Sequence, residues 1–389
     1  MECDALVELV AATGRTVTRV SPVGPTGHRT PRRVARVDLA DGGTVALKCA
    51  SPGGALGREV ATLRFLQTAP VLAGRGVPVP EVVAVGPGSD PSWIATRWAG
   101  DLTLDVALRD ASPTAAHDLG MRLVHSVMAI EAAFAPLTER GVPVTARAMA
   151  ERLFDPWADA AFESLEWLAG RELGTAARDA VGRACAVARG SPLTVGPLDY
   201  HAGNVVVPHA FADDDDGDPR APLVIVDHGA TGWDWPARRL AQYGTSTGVG
   251  NPETGAVPRT GAVPRTGAVS VTGAVSRTGA VSSAGAVSSA GFRSCLDHRV
   301  VARGASDLAD VHGGEPHGWA AAIDAHDLLL VATAATHLRQ VEAGDASPDR
   351  MAAWSDVPAR RASLQAIVRR GLAAGTDAAR VRAIICGEQ

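Results

Sequence analysis

Polar and apolar positions alternate along the first hundred residues, and the period then changes. Arg33-Val34-Ala35-Arg36-Val37-Asp38-Leu39 and Thr44-Val45-Ala46-Leu47-Lys48 both alternate, with Asp41-Gly42-Gly43 between them. Successive side chains of a strand point to opposite faces, so this period around a glycine turn predicts a β-hairpin. In its second strand Val45 and Leu47 share one face, and Ala46 and Lys48 the other. Val60, Leu63 and Leu66 recur at helical spacing and predict a short helix over 59–67. Val77-Pro78-Val79-Pro80 excludes helix and leads into a strand at 82–85, a Gly-Pro-Gly turn at 86–88 and an apolar strand at 93–98. The stretch reads as strand-rich, with one helix.

Helical periods dominate beyond residue 100. Ser112-Pro113 supplies an N-cap and a first-turn proline, and behind it Leu119, Leu123, Val127, Ile130 and Phe134 form one apolar stripe. Further helices are predicted over 148–170, 175–189, 317–341 and 347–373. A strand-rich beginning and a helix-rich remainder predict an α+β, bilobal fold: a small antiparallel-sheet part over 1–100 and a larger helical part over 101–389. The helical part would carry a hairpin within 193–242. Residues 254–289 repeat a six-residue unit, beginning Thr254-Gly255-Ala256-Val257-Pro258-Arg259. A β-helix is opposed by Pro258 and Pro264, and the composition predicts a flexible insertion over about 246–291 that is dispensable for chemistry. An interaction array is the competing reading.

Composition narrows the class. The net charge is −5 and the basic residues do not cluster, so neither nucleic acid nor an anionic membrane is expected as a partner. Cys3, Cys49, Cys185, Cys295 and Cys386 are dispersed, without metal-ligand spacing, and read as reduced thiols. The acidic start Met-Glu-Cys-Asp lacks the positive charge of a signal peptide, and no apolar run reaches membrane-span length. A cytoplasmic protein is expected. Of 37 basic residues, 36 are arginine, and Lys48 is the single lysine. A retained ammonium in such a chain implies a position that a planar guanidinium does not serve.

The chemistry concentrates in Val195-Gly196-Pro197-Leu198-Asp199-Tyr200-His201-Ala202-Gly203-Asn204, which runs into the apolar strand Val205-Val206-Val207. A second apolar strand, Leu223-Val224-Ile225-Val226, ends at Asp227. Pairing of these strands would return Asp227 to Asn204, an oxygen pair suited to Mg2+, and leave Asp199 as a separate carboxylate. Phosphoryl transfer needs such parts: a divalent cation, a lysine on the phosphates, a carboxylate holding that lysine, and a base on the acceptor hydroxyl. Asp199, Asn204 and Asp227 follow the order of the kinase pattern, and Val45-Ala46-Leu47-Lys48 is similar to its Val-Ala-Ile-Lys strand, with Glu59 on the next helix.

Together these segments resemble the aminoglycoside phosphotransferase and choline kinase branch of the protein-kinase-like superfamily. Leu198-Asp199-Tyr200-His201-Ala202-Gly203-Asn204 resembles its Gly-Asp-Leu-His-Pro-Gly-Asn loop. Gly232, Pro236-Ala237 and Leu240-Ala241 fall at matching offsets, and Gly76-Val77-Pro78-Val79-Pro80 and Trp98-Ala99-Gly100 resemble its approach to the adenine-contacting hinge. The resemblance spans roughly residues 18–242. It implies Asp199 as catalytic base, Asn204 and Asp227 as Mg2+ ligands, Lys48 on the α/β-phosphates, Glu59 as its holder, and backbone near Arg97 and Trp98 on adenine. ATP and a small hydroxylated acceptor would be the substrates.

The chain departs from that pattern at two places. Pro197-Leu198 stands where the family has His-Gly, and Arg239 where it has a second Asp. Both positions brace the loop in the family, and Asp234 lies near enough in sequence to replace part of the brace. These departures motivate an alternative, a catalytically impaired pseudokinase acting as a nucleotide-binding module. The glycines of Val23-Gly24-Pro25-Thr26-Gly27 make a poor phosphate loop. No Asp-Phe-Gly and Ala-Pro-Glu pair frames a protein-kinase activation loop. Tyr200 and His201 read as loop-packing residues, Trp233 and Trp235 as core, and Asp213 to Asp216 with Asp218 as a solvated hairpin tip. No histidine spacing indicates zinc.

Overall fold

The computed structural model describes residues 3–23, 32–50, 56–137, 147–208, 221–246 and 292–388. The hexad repeat, Gly24, Gly27 and the acidic run at 213–218 lie outside the described residues. The chain divides into two compact units, each with its own core.

The first unit contains α1 (Cys3–Thr13), β1 (Val17–Val23), β2 (Arg32–Leu39), β3 (Thr44–Ala50) and α2 (Leu56–Gln67). After α3 (Pro70–Gly74), which belongs to the second unit, it resumes with β4 (Val82–Val85) and β5 (Trp93–Arg97). The strands form an antiparallel sheet in the order β1-β2-β3-β5-β4, so β3 is central. Its alternation sorts the two faces. Val45 and Leu47 join Val37, Leu39, Trp93 and Ala95 in a cluster with Ala5 and Leu9 of α1. The indole N–H of Trp93 donates to Glu8 Oε2 at 2.5 Å, pinning α1 to that face. Ile94 points the other way, packing on Leu56 and Val60 of α2. Lys48, paired in register with Ile94, shares that second face.

The predicted hairpin is present, with Val37↔Val45 and Val34↔Lys48 among its registers. One helix was expected in this stretch, but three occur. The α1 helix escapes a periodicity reading because Val7 and Val10 sit on its solvent face, 67% and 38% exposed, and blur the apolar stripe.

The second unit begins with β6 (Leu102–Thr103), α4 (Leu104–Ala107), α5 (Pro113–Phe134), α6 (Arg147–Ala169) and α7 (Gly174–Gly190). Four short strands follow: β7 (Thr194–Pro197), β8 (Val205–Val207), β9 (Val224–Ile225) and β10 (Thr231–Asp234). Next come α8 (Pro236–Gly244), β11 (Thr245–Ser246), β12 (Arg293–Ser294), α9 (His298–His312) and α10 (Pro316–Ala343). The unit ends with α11 (Pro348–Ala353), α12 (Val357–Val368) and α13 (Asp377–Cys386). Ser112 caps α5 by accepting from Ala115 N–H, and the stripe from Leu119 to Phe134 is buried, as the pattern predicts.

The long α10 is the axis of this unit, packed by α6, α7, α8, α9, α12 and α13. Leu328 to Val331 are all buried, which is why its polarity shows so little sidedness. The single helix expected over 347–373 is instead two, α11 and α12. Asp356 accepts from Ala359 N–H and starts α12 afresh, with Pro358 in its first turn. Among the described residues no helix is long and apolar enough to cross a membrane. The sheet-rich first unit and mostly helical second unit are the α+β architecture that the sequence predicts.

Candidate functional site

In the first unit, the lone ammonium has a partner. Lys48 Nζ donates to Glu59 Oε1 at 2.9 Å and Oε2 at 2.7 Å. Both residues are buried, Lys48 at 7% exposure and Glu59 at 4%. Strand alternation delivers Lys48 to the face covered by α2, and Glu59 lies in the first turn of that helix. A buried ion pair of this kind costs more in desolvation than a surface pair, and the two-pronged bond to Glu59 offsets that cost. On β5 the N–H of Arg97 donates to Glu81 O at 2.8 Å, and that of Trp98 to Thr44 O at 3.0 Å. The Arg97 side chain is exposed and pairs with Glu81. Both N–H groups are thus already bonded within the first unit.

In the second unit, β7 pairs with β10, and Leu198 N–H continues the ladder to Ala230 O at 3.0 Å. The chain then turns through Asp199, Tyr200 and His201 into a single 3-10 turn, Ala202–Asn204, before β8. Strand β8 pairs with β9 through Val205↔Ile225 and Val206↔Val224, the hairpin that the sequence predicts. Beyond it, Val226 N–H donates to Asn204 O at 2.8 Å, which brings Asp227 back beside Asn204. Asn204 is 2% exposed, and its Nδ2 donates to Asp199 O at 2.9 Å. That bond commits the amide nitrogen, and the amide oxygen is the side chain's acceptor atom.

Asp227 has φ 65°, and among the described residues it is the one non-glycine residue with positive φ. The left-handed region costs an L-residue about 1 kcal/mol, less for Asp, and such strain collects at functional sites. His228 helps hold the bend, its buried ring donating from Nε2 to Ile225 O at 3.0 Å. Burial first, then the charge of Asp199 with smaller contributions from Glu131 and Asp227, pushes Tyr243 up from its ordinary value.

Two polar networks brace this loop. The Arg239 guanidinium, fully buried, meets Glu131 of α5 as a fork, Nε to Oε1 at 2.6 Å and Nη2 to Oε2 at 2.7 Å. It also donates to Thr194 O at 3.4 Å, Thr194 Oγ1 at 2.5 Å and Asp234 O at 3.2 Å, tying β7 to β10 from beneath. Burial alone would raise the Glu131 carboxyl, but Arg239 and His312 hold it below its ordinary value. The second brace is Tyr200, whose buried phenol donates to Asp234 Oδ2. Asp234 Oδ1 accepts from Trp235 N–H at 2.7 Å, and Arg238 Nη1 reaches Oδ2 at 3.1 Å. Asp234 therefore does hold the loop, through the residue next to Asp199.

Gly196 makes the first brace possible. A Cβ there would lie 2.7 Å from Arg239 Cζ, with the guanidinium already locked. Gly196→Ala is expected to destabilise the second unit by about 1–3 kcal/mol, read as a lowered midpoint of chemical denaturation. An unchanged midpoint would mean that the arginine has room to move.

Glu131 went unnoticed in the sequence, although a carboxylate amid Met128-Ala129-Ile130 and Ala132-Ala133-Phe134 is a signal for a buried partner. Trp235 is core, as expected, at 0% exposure. His201, read as a loop-packing residue, stands beside Asp199, with Nε2 at 3.8 Å from Oδ1.

The donor chemistry fits Mg2+: one amide oxygen and one carboxylate, both hard, with room in the usual coordination for phosphate oxygens and water. Among the described residues no group of three or more His, Cys, Asp or Glu is placed to hold a metal by itself.

No family model and no curated protein matches the chain. Solved structures do. A macrolide 2'-phosphotransferase from Brachybacterium faecium is 16% identical, with a TM-score of 0.48 over 92% of this chain and 98% of that one. A type I macrolide 2'-phosphotransferase is 12% identical, with a TM-score of 0.46 over 92% and 96%. A GDP and kanamycin complex of APH(2")-IIia is 13% identical, with a TM-score of 0.48 over 93% and 99%. These are likenesses of fold, and they assign no residue and no substrate. In fold, the chain is similar to these solved small-molecule phosphotransferases.

Proposed function

We propose that the chain is a nucleotide- and Mg2+-dependent O-phosphotransferase acting on a hydroxyl of a small molecule. The observation that carries this reading is the junction of Asn204 with Asp227, made by the Val226–Asn204 backbone bond and a left-handed Asp227. A loop that orients two hard oxygens beside a half-buried Asp199 has the parts that phosphoryl transfer requires.

Asp199 would accept the proton of the acceptor hydroxyl, and Asn204 and Asp227 would hold Mg2+. When bound, the cation would neutralise polyphosphate charge. Lys48, kept in place by Glu59, would contact the α/β-phosphates as a compact point charge. The residues supply positioning and charge, with no covalent step on the protein.

The test is Mg2+-dependent turnover of ATP and GTP over a panel of hydroxylated small molecules, beginning with kanamycin and a macrolide. Lys48→Arg is the sharper control: charge is kept, but a planar fork replaces the ammonium in a buried pair. Turnover is expected to fall on the order of a hundred-fold. Equal turnover in Lys48→Arg would remove Lys48 from the reading. Tight nucleotide binding with no transfer to any acceptor would assign the chain to the pseudokinase alternative.

A further inference from the structure

We propose that His201 is a positioning residue for Asp199, directing its imidazole Nε2–H at the carboxylate oxygen Oδ1. This rests on the phosphotransferase reading above.

The two ring nitrogens have separate partners. Gly203 N–H donates to His201 Nδ1 at 3.1 Å, so Nδ1 carries no proton. The neutral ring then bears its hydrogen on Nε2, and Nε2 is the atom 3.8 Å from Asp199 Oδ1. A donor is therefore directed by the fold to one particular oxygen of the carboxylate. The separation exceeds a hydrogen bond, as is common before a substrate draws a site together.

The ring is held where it is. His201 is the N-cap of the 3-10 turn Ala202–Asn204, with extended backbone at φ −149° and ψ 160°. Its carbonyl accepts from Asn204 N–H at 2.8 Å. Gly203 packs against the ring: a Cβ at that position would lie 3.0 Å from both His201 Cε1 and Nδ1. Asp105 backs the same glycine, 3.9 Å from that Cβ position, and is fixed by Thr103 Oγ1, which donates to Asp105 Oδ1 at 2.5 Å. Side-chain exposures of 23% for His201 and 14% for Asp199 leave the pair reachable from solvent while limiting its screening. The cap explains Nδ1; it does not explain why Nε2 is set at the carboxylate.

Two substitutions separate the roles. In His201→Asn the amide oxygen replaces Nδ1, keeping the bond to Gly203 and an N-cap residue, but nothing replaces Nε2. In His201→Gln the longer amide replaces Nε2 as a donor to Asp199 and gives up the cap. With Mg2+ and ATP or GTP, His201→Asn is expected to lose ten-fold to about a hundred-fold in kcat at unchanged nucleotide KM and unchanged thermal midpoint. His201→Gln is expected to recover part of that kcat despite a lower midpoint. Wild-type turnover with kcat unchanged in His201→Asn, or with no recovery of kcat in His201→Gln, overturns the positioning role and leaves the phosphotransferase reading standing. Absence of turnover in the wild type, with any acceptor or with water, overturns both.

Discussion

Asp199→Ala is expected to lower kcat by about a hundred-fold to ten thousand-fold while leaving nucleotide affinity unchanged, as measured by turnover beside calorimetric titration. The separation follows from how the loop is held. The bond from Asn204 Nδ2 goes to the Asp199 backbone carbonyl, which alanine retains. Tyr200 is fixed by Asp234, Asn204 N–H by His201 O, and Asp227 by its neighbour's bond to Asn204 O. None of these needs the Asp199 carboxylate. The substitution removes a proton acceptor and keeps the oxygens proposed for the cation. Retained turnover would rule out Asp199 as the base, and lost nucleotide binding would show that its side chain also shapes the metal site.

Arg239→Ala is expected to destabilise the second unit by about 3–5 kcal/mol, because it strands the Glu131 carboxylate in a buried place. For a unit of this size that corresponds to a fall of roughly 10 °C in the thermal midpoint. The loss should exceed that of a paired replacement, Glu131→Met with Arg239→Met, in which no charge is left without its partner. Since β7 and β10 both hang from this guanidinium, activity should fall with stability.

The same pair sets an acid limit. Glu131 is held below its ordinary value of 4.5, so the folded state favours the ionised carboxylate. Its contribution is in place above about pH 4.5 and is lost as pH falls through the lower folded value. Acid unfolding of Glu131→Gln should lose part of that dependence. A wild-type acid curve superimposable on the variant's would place the acid limit elsewhere.

The parts legible in the sequence are those whose signal is local. The β2–β3 hairpin follows from alternation around a glycine turn, α5 from its cap and stripe, and the β8–β9 hairpin from two apolar runs. Helix α1 was hidden by valines on its solvent face, and the break between α11 and α12 by reading helical periodicity across Asp356-Val357-Pro358. Helices α9 and α13 were passed over as well. In the candidate site, Asp199, Asn204 and Asp227 stand out by spacing, and Lys48 by being alone of its kind. The braces do not, because Glu131 and Arg239 are 108 residues apart and meet only through tertiary packing. A substituted Arg in a known pattern signals that something is different; it cannot say which distant carboxylate answers it.

The solitary lysine also turns the chain into its own chemical reporter. Apart from the terminal amine, Lys48 is the one primary amine available to acylating reagents, and it is 7% exposed in a two-pronged bond to Glu59. Acylation needs a neutral, accessible amine, so its rate measures how often that pair opens rather than how many surface lysines are present. A single mass increment on the peptide containing Lys48 would register each opening without a label having to be engineered. Slower acylation in Mg2+ and ATP than in buffer would locate the nucleotide at this ammonium, even before any acceptor is known.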